Sequence, residues 1–382
     1  MNYDLVLRGG RVIDPSQSID RVTDVAFAAG KVAAIGDGLA RGGASVKDVA
    51  GAIVTPGLID LHTHVYWGGT SLGVDPLILA RGGCTTLVDT GSAGPGNYAG
   101  FRDHVIKPSA VRILAYLNVS FAGIYGFSKR VMVGESGDLR LMAPHDTVEV
   151  AETNRDTIVG IKVRVGFNAS GNSGVVPLDI ARQVAEQVGM PMMVHIDVPP
   201  PTLEDVLVRM RPGDVLTHCF RPFPNSPAMA DGRVKAAVIE ARQRGVIFDI
   251  GHGMGSFSFK TARAMLDNGF LPDCISSDVH ALSIDGPAFD LLTTMSKFLC
   301  LGVSLEDVIR AATQNPAKAL RRPELASFKP GSPGDASILE LHDGDFDYVD
   351  STGEHLAARM SLTASGVVIK GEAWQATGKS CR

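Results

Sequence analysis

The chain has 382 residues, of which 45% are hydrophobic and 20% are charged, and its formal net charge at pH 7 is -5. This length suits one large domain with a smaller one beside it. The slightly acidic balance provides no basic surface of the kind that binds nucleic acid or an anionic membrane, so we expect neither partner.

The N-terminal residues and the cysteines indicate the compartment. Residues 1–8 lack the basic and apolar regions of a secretion signal, and no stretch approaches the roughly 20 apolar residues of a membrane-spanning helix. The cysteines are odd in number and never spaced C-x-x-C, which argues against a disulfide framework or a thiolate zinc site. We therefore expect a cytoplasmic protein. The cysteines are Cys84, Cys219, Cys274, Cys300 and Cys381.

Both ends of the chain carry short apolar runs separated by turn residues. Residues 31–35 near the start and 366–370 near the end are examples. Runs of this kind, bounded by Gly, Pro and Asp, are typical of β-strands. We expect residues 1–54 and 330–382 to form one small β-sandwich domain, with residues 55–329 inserted as a separate domain.

The middle of the chain alternates between strand-like and helix-like segments. Residues 178–188 place apolar side chains on one helical face, and the strand-like residues 192–196 follow. Another helix is expected after Ser304, whose spacing to Asp307 is that of a capping box. Strands and helices in alternation predict an α/β fold, a (β/α)8 TIM barrel, with a doubly wound open sheet as the alternative. The strand candidates are residues 58–63, 84–89, 111–118, 158–165, 191–196, 214–218, 246–250 and 273–278.

Side chains that could bind a metal occur at the ends of several strand candidates, where barrel enzymes carry their chemistry. A spacing of two puts His62 and His64 on one side of the first strand. Taken alone, each candidate has an ordinary explanation, such as an edge lysine, a core histidine or a helix-capping aspartate. Together they predict a metal site, with Zn²⁺ as first choice and Mn²⁺, Fe²⁺ or Co²⁺ as substitutes. The candidate ligands are His62, His64, Lys162, His195, His218 and Asp278.

Two motifs resemble those of a known family. Residues 55–64, Thr-Pro-Gly-Leu-Ile-Asp-Leu-His-Thr-His, are similar to the opening motif of the amidohydrolase superfamily. Residues 313–317, Thr-Gln-Asn-Pro-Ala, are similar to its late T-x-N-P-A motif. The spacing of the remaining candidate ligands resembles the binuclear branch of that superfamily, and the resemblance covers essentially the whole chain.

The resemblance divides the candidate ligands between two divalent cations. It implies that the two histidines of the H-x-H pair hold the more buried cation together with Asp278. It implies that His195 and His218 hold the more exposed cation, and that Lys162, carbamylated by CO2, bridges both. Two cations that share a bridging water lower its pKa to near 7, and they can polarise a substrate carbonyl.

Four residues have predicted roles in catalysis or substrate binding. Asp278 is the expected general base, which takes a proton at attack and returns it to the leaving group. Arg164 is expected either to pair with a substrate carboxylate or to form a salt bridge at the barrel rim. His252 and His280 are expected either to orient the substrate or to brace a ligand.

The residues after the H-x-H motif indicate the branch of the superfamily. Dihydroorotases and related cyclic amidases usually carry an arginine two residues after it, whereas this chain has Tyr66. Residues 62–69, together with residues 160–164, look more like the branch labelled amidohydrolase/deacetylase. This resemblance implies a deacetylase-type hydrolase that cleaves a small acyl ester or N-acyl amide on a carboxylate-bearing small molecule. The alternatives are a cyclic amide hydrolase, a non-catalytic barrel scaffold and a one-metal deaminase, which would not need Lys162. A homo-oligomer is also compatible with the sequence.

Overall fold

The computed structural model describes residues 2–40 and 44–376 of the chain. Cys381 lies outside these residues, and the other four cysteines are free thiols. The described part contains one sheet built from both chain ends and a second, parallel sheet with helices built from the middle.

The strands of the described residues are, in chain order, β1 (Leu5–Asp14), β2 (Ile19–Ala28), β3 (Lys31–Gly36), β4 (Ser45–Asp48), β5 (Ile53–Pro56), β6 (Leu58–Thr63), β7 (Cys84–Thr90), β8 (Arg112–Asn118), β9 (Gly126–Phe127), β10 (Met132–Val133), β11 (Ile158–Val165), β12 (Met192–Ile196), β13 (Val215–Leu216), β14 (Ile247–Phe248), β15 (Ala336–Val349), β16 (His355–Ile369) and β17 (Glu372–Gln375).

The α-helices of the same residues are α1 (Pro76–Arg81), α2 (Tyr98–Phe101), α3 (Pro144–Thr153), α4 (Phe167–Ser170), α5 (Val176–Val188), α6 (Leu203–Leu207), α7 (Ala236–Gln243), α8 (Phe259–Asp267), α9 (Leu291–Cys300), α10 (Leu305–Ala312) and α11 (Gln314–Ala319). A π-helical turn, Arg102–Ile106, continues α2, and 3₁₀ turns cover Leu139–Leu141, Gly171–Ser173 and Pro323–Ala326.

The two ends of the chain meet in one sheet. Its strand order is β17-β16-β15-β5-β1-β2-β3, with β4 paired to β1. The junction is β5, which runs parallel to β1 and antiparallel to β15, where Val54 lies opposite Ile338. Buried apolar side chains such as Phe27 and Val368 form a core of their own on this sheet. The two ends of the chain thus associate, as expected, through the pairing of β5 with β15. The β-sandwich arrangement stays a prediction.

The middle of the chain forms a curled parallel sheet in the order β6-β7-β8-β11-β12-β13-β14. Every side chain of β6 and β7 is buried, as expected when helices and a barrel interior cover both faces of parallel strands. The helix predicted at residues 178–188 lies in α5, and the Ser304 hydroxyl caps α10 by accepting from the Asp307 amide at 3.1 Å.

The eighth predicted strand, residues 273–278, is not a regular strand. The segment instead makes single parallel bridges, from Cys274 to Asp249 and from Val279 to Thr63. The ladder is interrupted because Asp278 has a φ of 49° and the Ser277 amide donates to the Asp60 carboxylate at 2.9 Å. The bridges still join the last strand to the first, so the curled sheet fits a (β/α)8 barrel.

No helix among the described residues has both the length and the apolar character that crossing a membrane requires.

Candidate metal centre

All six candidate ligands line one cavity. They reach it from the C-terminal ends of β6, β11, β12 and β13 and from the segment that closes the barrel. This is the face on which barrel enzymes carry their active sites. The cavity is completed by Leu72, Ile124, Phe127, Arg164 and His280.

The donor atoms of these side chains converge. The Nε2 atoms of His62 and His64 lie 3.3 and 3.2 Å from Oδ1 of Asp278. On the other side, Nδ1 of His195 lies 2.7 Å from Nε2 of His218. One donor atom each from His62, His218 and Asp278 lie within 4.8 Å of one another, a spacing at which they can share a cation.

Two of the converging residues have unusual backbone conformations. His218 has a φ of 63° and Asp278 a φ of 49°, which lie in the left-handed region that residues with a Cβ seldom adopt. Such conformations cost free energy and persist where the surrounding structure requires them, often at functional sites. Here they end the extended path of the chain at the point where each side chain must turn into the cavity.

The protonation states of the histidines suit a cation. Burial is the main cause that lowers the pKa of His62, His195 and His218 well below the ordinary value, with the nearby Lys162 charge adding to it. Burial likewise lowers the pKa of His64 to about 3. At neutral pH these imidazoles are therefore neutral, and each keeps one nitrogen lone pair for a metal.

The buried side chain of Lys162 also indicates that this cavity binds a further chemical group. Its side chain is buried, and Nζ has no hydrogen-bond partner among the described residues. Burial lowers the pKa of this ammonium to about 7, partly opposed by the Asp278 carboxylate. A neutral amine at this position is a nucleophile, and burying it without a partner is costly unless it is modified or bound. The donor set thus fits divalent cations.

Arg164 lies on the cavity wall and is held there by a buried carboxylate. Its NH1 atom lies 3.1 Å from Oε2 of Glu135, and the other carboxylate oxygen accepts from the Asn118 amide at 3.3 Å. The ring of Phe127 lies against the guanidinium, 5.4 Å from ring centroid to Cζ. Arg164 thus forms a salt bridge with Glu135, and this salt bridge holds the guanidinium at the cavity, where it can also pair with a substrate carboxylate.

The two other predicted substrate residues have different surroundings. His280 lines the cavity, and its Nδ1 accepts from the Leu282 amide at 3.1 Å, which leaves Nε2 to carry the proton. His252 is not brought to the cavity: its Nε2 contacts Nζ of Lys297 at 2.7 Å and its Nδ1 contacts the Gly253 carbonyl at 2.9 Å. Both ring nitrogens are engaged inside the protein because the loop after β14 turns this side chain toward α9.

Several buried acidic residues lie near the centre and were not predicted from the sequence. Asp89 and Asp249 follow the pattern of polar residues at strand ends, so that signal was available for both. Asp60 lies inside the first motif, and burial raises its pKa and that of Asp249 to about 7. Glu135 lies in an irregular segment between β10 and α3, where no periodicity marks it.

Comparisons with known proteins identify the family of the chain. A model described as the amidohydrolase family matches residues 258–373. A deacetylase from Agrobacterium fabrum is 38% identical over 327 residues, which cover 85% of this chain and 80% of that protein. A deacetylase from Brucella anthropi is 38% identical over 338 residues, which cover 88% and 83%.

Solved structures extend the comparison to the whole fold. A crystal structure described as a dihydroorotase superposes with a TM-score of 0.91 at 34% identity, and the match covers 99% of both chains. The relationship to the amidohydrolase superfamily that the H-x-H and T-x-N-P-A motifs predict is confirmed. Sequence identity of this extent, together with the shared fold, shows common descent, and the chain belongs to the amidohydrolase superfamily, in the part related to dihydroorotases, and is a hydrolase.

Proposed function

We propose that this hydrolase is a metal-dependent deacetylase, which removes a small acyl group from a carboxylate-bearing small molecule. The acyl group is held as an ester or as an N-acyl amide. The observation that carries the proposal is that Arg164 lines the same cavity as the six candidate ligands. A guanidinium beside a hydrolytic centre suits a substrate whose carboxylate lies near the scissile bond. The deacetylase names of the two bacterial relatives support the same chemistry.

The proposed cofactor is a pair of divalent cations, with Zn²⁺ the first choice for nitrogen and oxygen ligands. The H-x-H pair and Asp278 would hold the more buried cation, and His195 and His218 the more exposed one. Lys162 would bridge them as a carbamate, formed when the neutral amine attacks CO2 and releases a proton. Bound cations supply Lewis acidity, which polarises a carbonyl and lowers the pKa of water.

The chain's own residues would then orient the substrate and move the proton. Arg164 pairs with the substrate carboxylate, and Nε2–H of His280 donates a hydrogen bond to the substrate. Asp278 is the proposed general base: its carboxylate takes the proton of the attacking water. The same carboxylate returns that proton to the leaving nitrogen or oxygen. Phe127 and its apolar neighbours keep bulk water from the reacting atoms.

A substrate screen tests this proposal. Purified, zinc-loaded protein is offered N-acyl amino acids, O-acyl hydroxy acids and cyclic ureides, each acid beside its neutral methyl ester. We expect turnover of an N-acyl or O-acyl acid and a clear preference for the free carboxylate. Hydrolysis of cyclic ureides alone would contradict the proposal.

A variant of Arg164 sharpens the screen. Arg164→Met should raise KM for carboxylate substrates about 10- to 100-fold and KM for the methyl esters less, because the esters lose only the effect of the broken Glu135 salt bridge while the acids also lose their own ion pair. Arg182→Met, which removes an exposed arginine from α5, is the matched control and should leave both values unchanged. Equal effects of Arg164→Met on both substrate classes would assign that residue to structure.

A cyclic amide hydrolase is the second candidate function. It is favoured by the likeness to the crystal structure described as a dihydroorotase, at 34% identity over 99% of the chain. The same centre would open a ring amide, so the cyclic ureides in the screen distinguish the two activities.

The proposal extends to organisation and compartment. We propose that residues 1–54 and 330–382 form a β-sandwich domain and residues 55–329 the catalytic barrel. We also propose a cytoplasmic location, which suits a chain whose four described cysteines are free thiols.

A further inference from the structure

A hydroxyl group separates His62 from a buried carboxylate. Nδ1 of His62 lies 2.7 Å from Oγ1 of Thr217, and this hydroxyl donates to Oδ2 of Asp249 at 2.7 Å. The direct distance from Nδ1 to that carboxylate oxygen is 3.6 Å, too long for a hydrogen bond. Thr217 is therefore the link between the imidazole and Asp249.

The number of protons in this chain of groups determines the histidine tautomer. A threonine hydroxyl has one proton, and here it is donated to Asp249. The oxygen can then only accept from His62, so Nδ1 must carry the imidazole proton. Nε2 consequently keeps its lone pair, and it is this atom that lies 3.3 Å from Oδ1 of Asp278 inside the proposed centre.

The second histidine of the pair also faces a hydroxyl. Nδ1 of His64 lies 2.9 Å from Oγ of Ser92, which follows β7 and the buried Asp89. Asp89 is fixed in turn by the backbone amides of Ser92 and Val65, at 2.9 and 2.8 Å. Nε2 of His64 again faces Asp278, at 3.2 Å.

Asp249 is itself held by the segment that closes the barrel. Its Oδ1 accepts from the Ser276 hydroxyl at 2.6 Å, and that hydroxyl accepts from the Gly251 amide at 2.9 Å. The carboxylate is completely buried and thus ties together the three last segments of the barrel. By contrast, Nδ1 of His218 is satisfied by a backbone carbonyl, that of Gly251 at 2.7 Å.

We propose that Thr217 and Ser92 are positioning residues: the Thr217 hydroxyl fixes His62 as the Nδ1–H tautomer, and each hydroxyl orients its histidine with Nε2 directed at the more buried cation. The inference rests on the proposed function, because it concerns the ligands of the proposed cofactor. Partners of this kind typically change metal affinity 10- to 100-fold when removed, through the orientation and basicity of the imidazole.

Thr217→Val tests the inference, since valine keeps the shape of threonine and lacks the hydroxyl. We expect the dissociation constant for Zn²⁺ at one of the two sites, measured by competition with a chromophoric chelator, to rise about 10- to 100-fold. Thr217→Ser restores the hydroxyl and should bring that constant back to within about threefold of the wild-type value. Thr147→Val is the matched control, because it removes a buried hydroxyl bonded to the Ala143 carbonyl in α3, away from the cavity.

A second readout does not depend on metal or activity. In chelator-treated protein labelled with ¹⁵N-histidine, the nitrogen chemical shifts of His62 should report the Nδ1–H tautomer in the wild type. In Thr217→Val they should move toward Nε2–H, because the remaining acceptor beside the ring is Asp278. Unchanged Zn²⁺ affinity together with an unchanged tautomer would overturn the inference. Absence of Zn²⁺ binding by the wild type would instead contradict the proposed function, and the tautomer measurement would still decide the role of Thr217.

Discussion

Asp278 is the residue on which the proposed chemistry depends most. Its Oδ1 faces the two imidazoles of the H-x-H pair, and burial raises the pKa of this carboxyl group to about 6. A carboxylate beside the attacking water can accept its proton and return it to the leaving group. The sequence supports this role only through the position of the aspartate at a strand end.

Asp278→Asn should lower kcat by about 10²- to 10⁴-fold, because the amide keeps the size and one oxygen but cannot take a proton. Most of the bound metal should remain, so activity is measured per bound cation. Asp267→Asn, at the exposed end of α8, is the control for general effects of the substitution. Near-normal turnover by Asp278→Asn would exclude it as the base.

The six candidate ligands could be chosen from the sequence because each stands at the end of a strand candidate. Their common position is set by local periodicity, which a single sequence shows. Glu135 could not be chosen this way, since its carboxylate reaches Arg164 from an irregular segment 29 residues earlier in the chain. The orientation of His252 also escaped prediction, because its partner Lys297 comes from α9, 45 residues later.

At the scale of elements, the loop after β14 closely approaches the proposed base. Gly253 has a φ of 52°, and a Cβ at this position would lie 2.2 Å from Oδ2 of Asp278. A side chain here is unfavourable both for the left-handed backbone and for the space that Asp278 occupies. The loop therefore forms part of the wall that keeps Asp278 in place.

Gly253→Ala should displace Asp278 and lower kcat at least tenfold, with weaker binding of the more buried cation, because the Asp278 carboxylate must move away from the new methyl group. Gly255→Ala, two residues further in the same loop, is the matched control, since nothing lies within 4 Å of its added Cβ. The comparison uses kcat and Zn²⁺ affinity of both variants. If Gly253→Ala behaved like Gly255→Ala, the close packing would have no functional consequence.

The barrel elements were predictable to the extent that they are regular. The segment from α5 to β12 follows the predicted periodicities, because the buried residues of α5 recur at helical spacing and β12 is buried almost throughout. The closing segment, residues 273–278, is not a regular strand at Ser277 and Asp278. There the Ser277 amide bonds to Asp60 and the Asp278 side chain lines the cavity. Sequence periodicity describes packing, so it fails where a backbone group bonds to a side chain instead of a neighbouring strand.

At the scale of the whole molecule, Lys297 joins parts of the chain that are distant in sequence. Its side chain is buried in α9, and Nζ contacts Nε2 of His252 at 2.7 Å. The same atom donates to the carbonyls of Pro287 and Val349, each at 2.8 Å. Val349 belongs to β15 of the terminal sheet, so one ammonium connects that sheet with two loops at the mouth of the barrel.

Lys297→Met should lower the free energy of unfolding by about 2 kcal/mol, because several buried acceptors lose their donor while the cost of burying the charge is relieved. Urea denaturation measures the change. Lys260→Met, at an exposed position of α8, is the control and should be neutral within about 0.5 kcal/mol. A Lys297→Met protein as stable as the wild type would show that these contacts contribute nothing net.

The association of the two chain ends could be predicted because both carry strand patterns without intervening helices. The way in which the two ends contact the barrel could not be predicted. It depends on tertiary contacts such as α9 against β16 and Lys297 against Val349, which leave no periodic signal.

We propose that six side chains hold a pair of divalent cations, with Lys162 as the bridge. Elemental analysis of the purified protein, supplied with Zn²⁺ and bicarbonate, tests it most directly. We expect about two zinc ions per chain in the wild type, and a large loss of metal in Lys162→Ala that short carboxylic acids partly restore. A wild type without bound transition metal, or a Lys162→Ala protein that keeps both ions unaided, would contradict the claim.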